Sequence, residues 1–247
     1  MTESEAREEI CRIGASLFAR GYVHATAGNI SVRLDDGFLI TATDACLGAL
    51  DPARLARLDA NLQQTGGDRA SKTIALHARI YAAATRFDAG TRCVIHTHST
   101  HCVALTLAPS RKPSPSPSPS PSPSPSPSPS PSRTPSESPE LLPALTPYFV
   151  MKVGHVPVID YHRPGAPEAA EQVAQAIERY GAQGTPIRAV MLQRLGPNVW
   201  HDTPAAAMAT LEELEETAKL WLLGNAKPAP LGAAEIDELR RTFGARW

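Results

Sequence analysis

The sequence has almost no excess of charge of either sign, and this limits the partners it can bind. It carries 24 lysine and arginine residues against 25 aspartate and glutamate residues, a formal net charge of −1 at pH 7. Because a basic excess is what neutralises phosphates in nucleic-acid binders, we expect no nucleic-acid partner. The sequence also lacks any apolar run of the roughly 18 residues that a membrane-spanning helix needs, so no membrane partner is expected.

Signals for export and for disulfide bonding are also missing. Residues 1–9 are polar and acidic, without the basic start and apolar middle of a secretory signal. The four cysteines form no Cys-x-x-Cys pair, which in a chain of this size favours reduced, mostly buried thiols: Cys11, Cys46, Cys93 and Cys102. We therefore expect a cytoplasmic protein without disulfide bonds.

Proline is what the sequence has in excess, and much of it lies in one segment. Proline alternates with serine without interruption from Pro113 to Ser132. Because proline fixes φ and lacks a backbone N–H, this tract predicts an extended, polyproline-like loop. We interpret residues from about 109 to 140 as a disordered surface insertion in a single domain that spans residues 1–247. A recognition segment for a proline-binding domain is the alternative interpretation.

Hydrophobic periodicity outside that tract predicts a mixture of helices and strands. Helical spacing predicts helices at 5–19, 75–84, 102–107, 168–180, 205–223 and 233–243. Alternating or β-rich runs predict strands at 30–34, 38–41, 92–98, 148–153, 156–159 and 187–192, the last followed by a stop at Gly196-Pro197. The two types of element do not alternate strictly, so the predicted fold class is α/β (α+β).

The strongest local signal is the pair His96 and His98 at the end of a β-rich run. Residues i and i+2 of a strand point to the same face, so both imidazoles can reach one cation. His101 follows, either as a residue that supports those ligands or as a helix-start residue. The alternative for all three histidines is that they are polar residues at a strand–helix junction. His24 is expected to lie outside this site.

Two further segments suit an anion. Residues 26–31, Thr-Ala-Gly-Asn-Ile-Ser, form a loop of small residues that offers backbone N–H groups. Ser71, Lys72 and Thr73 combine two hydroxyls and a cation directly before a helix, where free N–H groups and the helix dipole favour negative charge. Taken alone, the serine and threonine are equally good N-cap residues.

Taken together and in this order, these segments resemble the class II aldolase/adducin family. The residues that carry the resemblance are 27–31, 39–44, 71–73, Leu76-His77 and 96–98. Within the family, other segments are similar to the 3-oxo-tetronate 4-phosphate decarboxylases: 47–55, 98–101, 145–154, 161–165 and 214–220.

The resemblance implies a central, mainly antiparallel sheet flanked by helices, in a homotetramer with sites between subunits. It implies a divalent metal, usually Zn²⁺, on His96 and His98. It places the phosphate of a small phosphorylated substrate on a defined set of residues: Thr26, Gly28, Asn29, Thr43, Asp44, Ser71 and Lys72. The implied reaction is decarboxylation of a 3-oxo-tetronate 4-phosphate to dihydroxyacetone phosphate through an enediolate that the metal stabilises.

Two positions depart from the family pattern. Thr73 stands where the family has a general acid/base glutamate, and a neutral hydroxyl cannot exchange a proton near pH 7. Leu195 stands at the position of the third histidine ligand; His101, His162 or His201 could replace it. Two alternatives to the decarboxylase therefore stay open. One is a family member that binds or assembles without catalysis, as adducin does, and the other is a sugar-phosphate aldolase or epimerase.

Overall fold

The computed structural model describes residues 1–107, 139–224 and 228–247, so the Pro-Ser tract lies outside the described residues. The helices are α1 (Glu3–Ala19), α2 (Ile74–Ala84), α3 (Thr100–Leu107), α4 (Pro167–Ala182), α5 (Pro204–Leu223) and α6 (Ala233–Phe243). The strands are β1 (Asn29–Leu34), β2 (Gly37–Ile40), β3 (Ala56–Asp59), β4 (Gln64–Gly66), β5 (Cys93–His96), β6 (Val158–Ile159), β7 (Ala189–Leu192) and β8 (Gly196–His201).

These eight strands form one sheet in the order β4-β3-β2-β1-β5-β8-β7-β6. Every neighbouring pair is antiparallel except β6 and β7, which are parallel. The starts of β1 and β8 therefore lie at the same end of the sheet as the ends of β2, β5, β6 and β7. Loops that follow or precede these strands meet at that end, which is where the predicted site residues lie.

Helices cover both faces of the sheet, which gives a three-layer α/β domain as predicted. On one face, β-strand residues such as Ile30, Ile95 and Val199 pack with α1, α3 and α5 in one buried apolar cluster. On the other face, Val94 and Trp200 pack with α2 and α4 in a second cluster. The strands alternate between the two clusters because successive side chains point to opposite faces.

Helix α1 shows how the sequence sets a local boundary. Thr2 accepts a hydrogen bond from the Glu5 backbone N–H, and the Glu5 carboxylate accepts one from the Thr2 N–H. This reciprocal capping box satisfies two backbone donors that would otherwise have no intrahelical partner. The apolar residues Ile10, Ile13 and Leu17 then form the buried face.

The structure corrects three of the predicted elements. The strand predicted at residues 148–153 is a π-helix over Phe149–Val153, since a short apolar run does not distinguish helix from strand by periodicity. The strand predicted at 156–159 is only Val158–Ile159. Strands β3 and β4 are additional to the prediction.

The third correction is at Gly196-Pro197, which was predicted as a stop and instead begins strand β8. Gly196 has φ +143°, and a Cβ at this position would lie 1.9 Å from the Thr97 carbonyl oxygen. Only glycine allows so close an approach of two backbones. The next residue, Pro197, also contacts this segment, since its carbonyl accepts a hydrogen bond from the Thr97 N–H at 3.2 Å.

Residues 139–140, which the prediction assigns to the insertion, belong to the described fold. Glu140 forms an isolated antiparallel bridge with Pro157, and its carboxylate accepts a hydrogen bond from the Val156 N–H at 2.8 Å. Across the described parts of the chain, no helix combines the length and the apolar character that crossing a bilayer requires.

Candidate active site

A row of three polar residues crosses the centre of the sheet. Asn29 on β1 lies opposite His96 on β5, and His96 lies opposite Asn198 on β8. Directly opposed residues share one face of the sheet, which here is the face that α2 and α4 cover. All three side chains are buried. Within the described residues, the Asn29 Oδ1 and both polar side-chain atoms of Asn198 have no hydrogen-bond partner.

His96 and His98 lie side by side, with ring centroids 5.1 Å apart. The His96 Nδ1 lies 3.0 Å from the Pro197 carbonyl oxygen, so this nitrogen carries the proton and donates it to the carbonyl. Its Nε2 therefore holds the free lone pair. Burial, and then the neighbouring His98, lower the pKa of His96 to about 3. Burial also lowers the pKa of His98. Both rings are thus held in the neutral form that binds metals.

One cavity of about 360 Å³ brings the predicted residues together. It lies at the end of the sheet where β1 begins and β5 ends. Every residue predicted to bind phosphate or metal lines it, as do Thr73 and Leu195: Thr26, Gly28, Asn29, Thr43, Asp44, Ser71, Lys72, Thr73, His96, His98 and Leu195. The predicted roles of these residues stay predictions, but their proximity is a property of the fold.

Gly28 is needed for the shape of this cavity. It has φ +85°, and a Cβ there would lie 2.7 Å from the Val23 Cγ1 and 2.9 Å from the His96 carbonyl oxygen. A side chain would therefore push β1 away from β5 at the point where Asn29 and His96 meet. The small-residue loop predicted to bind an anion is small because two backbones approach each other closely there.

The hydroxyl of Thr73 is bonded to another hydroxyl. Its Oγ1 lies 2.9 Å from the Ser71 Oγ, directly before α2, and Thr73 makes no side-chain cap to that helix. Neither hydroxyl gains or loses a proton near neutral pH, so neither suits the role of general acid or base. The carboxylates that line the cavity are instead Asp44, an exposed residue with φ +58°, and Asp160.

Of the three histidines proposed to replace the missing ligand, one lines the cavity and two do not. His162 lines the cavity, and its Nε2 is buried without a hydrogen-bond partner among the described residues. His101 does not line it, because its Nδ1 and backbone N–H lie 2.8 and 2.9 Å from the buried Glu215 carboxylate. His201 is also outside the cavity and pairs with Asp202.

Three residues near the site were not singled out from the sequence. His24, expected to lie elsewhere, has its ring centroid 6.3 Å from that of His98. Asp160 and Arg163 line the cavity from the loop between β6 and α4. The sequence signal for Arg163 was its place in Tyr161-His-Arg-Pro-Gly165, a segment that carried the resemblance without a role for any one residue.

The donor set fits a divalent cation through two imidazoles. His96 offers Nε2 because its Nδ1 is engaged, and this second hydrogen bond is what orients a histidine ligand in metal sites. In residues 1–107, 139–224 and 228–247, no three side chains of histidine, cysteine, aspartate or glutamate lie close enough to hold a metal together. Leu195, at the position of the family's third histidine ligand, contributes no donor atom.

The buried histidines predict a loss of stability in mild acid. Burial lowers the pKa of His77 and of His96 to about 3 each, against about 6.5 in the unfolded chain. Below pH 6.5 the unfolded chain binds protons that the folded chain does not, so the free energy of unfolding falls as pH falls. The expected slope is up to about 1.4 kcal/mol per pH unit for each histidine.

Urea unfolding between about pH 7 and pH 5 checks this expectation. In that window carboxylates are still ionised in both states, so the histidines dominate the slope. A free energy of unfolding that stays constant from pH 7 to pH 5 contradicts it.

Comparison with known proteins identifies the family of this chain. The sequence profile described as Class II Aldolase and Adducin N-terminal domain matches residues 8–222. The chain belongs to the class II aldolase and adducin family. A protein of Cupriavidus necator named 3-oxo-tetronate 4-phosphate decarboxylase is 47% identical over 251 residues, covering 100% of this chain and 99% of the relative. One of the same name from Pectobacterium atrosepticum is 36% identical, covering 96% and 94%.

Two solved structures share this fold. YgbL of Escherichia coli superimposes with a TM-score of 0.76 at 33% identity, covering 96% of this chain and 99% of YgbL. L-fuculose-1-phosphate aldolase of Thermus thermophilus superimposes with a TM-score of 0.64 at 24% identity. The second likeness supports the three-layer fold alone.

Proposed function

We propose that this chain is a carbon–carbon lyase that decarboxylates a 3-oxo-tetronate 4-phosphate to dihydroxyacetone phosphate and CO2. The observation that carries the proposal is the single cavity in which the predicted phosphate residues adjoin the His96–His98 pair. The full-length similarity to proteins named for this reaction supports the choice of substrate.

The phosphate group is held at one side of the cavity. Lys72 brings a positive charge, and Ser71 and Thr43 bring hydroxyl groups from segments around the start of α2. The loop before β1 adds the backbone of Gly28, which can approach a ligand closely because it has no side chain. Together these groups bind an anion without requiring any change in protonation.

The reaction breaks the bond between C1 and C2 of the substrate. Its electron pair becomes the C2–C3 double bond, and the C3 carbonyl oxygen takes the negative charge. His96 and His98 would hold a divalent cation, which when bound would supply positive charge near the C3 oxygen. Asn29 and Asn198 flank His96 in the sheet, and Asn29 also lines the cavity.

A proton must then be added at C2 to give dihydroxyacetone phosphate. Thr73 cannot deliver it, because its hydroxyl is neutral and bonded to Ser71. Lys72 and His162 both line the cavity and carry nitrogen groups. Threonine at position 73 therefore weakens the protonation step and leaves the charge stabilisation of the carbon–carbon cleavage in place.

The identity of the metal as Zn²⁺, the homotetramer and the cytoplasmic location belong to the same proposal. Zinc is favoured because two imidazole nitrogens are ligands that it binds well. Metal analysis of protein purified without an affinity tag tests the first point. Light scattering of the purified chain tests the second, and a monomer overturns it.

The direct test of function is product formation. The substrate is supplied to the purified protein with divalent metal, CO2 release is measured, and dihydroxyacetone phosphate is followed by its enzymatic reduction with NADH. If the chain is instead a family member without catalysis, we expect neither product and no retained metal. A sugar-phosphate aldolase predicts dihydroxyacetone phosphate only when an aldol substrate is supplied.

We expect Leu195→His to tighten metal binding. The leucine lines the same cavity as His96 and His98, so a histidine there adds a third imidazole. Loss of even a supporting residue typically changes metal affinity about 10–100-fold, and we expect a gain at least that large. Turnover should rise only modestly, because Thr73 is unchanged. Thr73→Glu together with Leu195→His should raise turnover more than the two single changes combined.

Metal titration and CO2 release are the measurements, and Leu195→Asn is the control because it adds polarity without an imidazole. Tight binding by the unaltered protein, weakened by Leu195→His, contradicts the prediction.

A further inference from the structure

We propose that Arg163 and His162 form the subsite that binds the C1 carboxylate of the substrate. This rests on the proposed function, and it assigns the end of the substrate opposite to the phosphate. The subsite lies on the loop that follows β6 and leads into α4. Its ligand class is a carboxylate attached to a short phosphorylated carbon chain.

The order of strands places the two ends of the substrate on opposite sides of the histidine pair. Thr43 and Asp44 follow β2, Asn29 begins β1, and His96 ends β5. Beyond β5 come β8, β7 and finally β6, after which the chain reaches His162 and Arg163. The strand order therefore places the proposed phosphate-binding residues first, the histidine pair next and Arg163 last along one cavity.

The dimensions suit a four-carbon acid. Neighbouring strands lie about 4.8 Å apart, so the four steps from β1 to β6 span roughly 19 Å between backbones. Side chains from both sides, among them the long Arg163, fill part of that distance. In the substrate, C4 carries the phosphate, C1 is the carboxylate, and the C3 carbonyl lies between them. The order of groups in the substrate matches the order of residues in the cavity.

Among the residues that line the cavity, Lys72 and Arg163 are positively charged, and Asp44 and Asp160 are exposed carboxylates. Lys72 lies beside the phosphate residues and Arg163 lies on the β6–α4 loop, and both line the cavity. In the described part of the chain, neither side chain has an ion-pair or hydrogen-bond partner. A phosphate alone needs one of these cations. A substrate that is also a carboxylic acid uses both, and a planar guanidinium matches a carboxylate in bidentate geometry.

His162 provides the second contact of the subsite. Its Nε2 is buried and has no hydrogen-bond partner in the described residues, although buried polar atoms are nearly always paired. An atom left unpaired beside a cavity is satisfied when a ligand occupies that cavity. A carboxylate that Arg163 holds brings an oxygen acceptor to the imidazole from the next position in the chain.

The subsite makes a specific kinetic prediction. The carboxylate loses its negative charge as CO2 forms, so a cation that binds it stabilises the bound substrate more than the transition state. Removing Arg163 should therefore raise KM strongly while kcat changes little or rises. A residue that merely supports the fold would lower kcat and protein stability together.

The binding experiment uses the holoprotein and two probes, 4-phosphoerythronate, which has both anionic groups, and dihydroxyacetone phosphate, which has only the phosphate. We expect Arg163→Gln to weaken calorimetric binding of 4-phosphoerythronate about 10- to 100-fold, typical of a hydrogen bond to a charged group. Dihydroxyacetone phosphate should bind as before. Arg241→Gln, which changes an exposed arginine on α6, should leave both affinities unchanged.

Several results would overturn the subsite. Equal weakening of both probes by Arg163→Gln means that Arg163 binds the phosphate, and unchanged affinities mean that it contacts neither group. His162→Gln should weaken 4-phosphoerythronate alone and leave metal content unchanged; loss of metal would instead make His162 a metal ligand. Selective binding without CO2 release overturns the proposed function and leaves the subsite intact. A protein that binds neither probe overturns both.

Discussion

Replacing His98 by alanine is expected to abolish retention of the divalent cation and to reduce CO2 release by at least about 100-fold, the upper range for losing even a supporting residue of a metal site. The reason is that His96 and His98 are the two imidazoles whose rings meet at the cavity, 5.1 Å apart. One imidazole alone cannot position a cation at the C3 oxygen. Because His98 is only partly buried, the substitution should leave the fold intact.

The matched control is His201→Ala, which removes an imidazole outside the cavity. Metal content by mass spectrometry and CO2 release are the measurements, with thermal melting as a check on folding. His24 is a poor control, since its ring lies beside that of His98. If His98→Ala keeps both its metal and its turnover, the histidine pair is not the metal site.

The largest expected effect on stability comes from Glu215→Ala. Glu215 is buried on α5, and its carboxylate accepts hydrogen bonds from the His101 N–H at 2.9 Å and the Cys102 N–H at 3.0 Å. Its Oε1 also lies 2.8 Å from the His101 Nδ1. These contacts join the first turn of α3 to α5. Alanine would leave buried donors unpaired, so we expect a loss of about 2–5 kcal/mol in the free energy of unfolding.

Urea unfolding measures this loss, and Glu216→Ala is the matched control because it removes an exposed carboxylate from the same helix. Glu215→Gln should be intermediate, since an amide oxygen still accepts one bond. An alanine variant within about 0.5 kcal/mol of the Glu216→Ala control, the range of ordinary surface changes, would show that α3 does not depend on this cap.

Much of the architecture could be predicted from the sequence because it depends on local periodicity. Helices α1, α4 and α5 were predicted to within a few residues, since each has apolar residues at helical spacing. Strand β8 was not, because Gly196-Pro197 reads locally as a stop. Its role as a strand start depends on the approach of Thr97, which is distant in sequence.

In the candidate site, too, some residues could be predicted from local sequence and others only from the tertiary structure. His96 and His98 were predicted from their i, i+2 spacing in a β-rich run, which is a local signal. Strand β5 ends at His96, so His98 lies just beyond it, and the structure still places the two rings together. His162 was one of three alternatives that sequence reasoning could not rank. Only tertiary packing shows that His101 is engaged with Glu215 while His162 lines the cavity. Arg163 needed the strand order as well, since its position opposite the phosphate residues follows from β6 lying at the sheet edge.

The tight turn at Gly196 also affects how easily a third histidine could be gained at position 195. The turn fixes the backbone that carries Leu195 against the end of β5, whatever side chain stands at position 195. Each histidine codon differs from a leucine codon by a single base. From the leucine codons CTT and CTC, a third imidazole is one base change away on a scaffold already shaped to present it, whereas every threonine codon differs from every glutamate codon by at least two bases. Selection for tighter metal binding could act in one step, and recovery of the family glutamate could not.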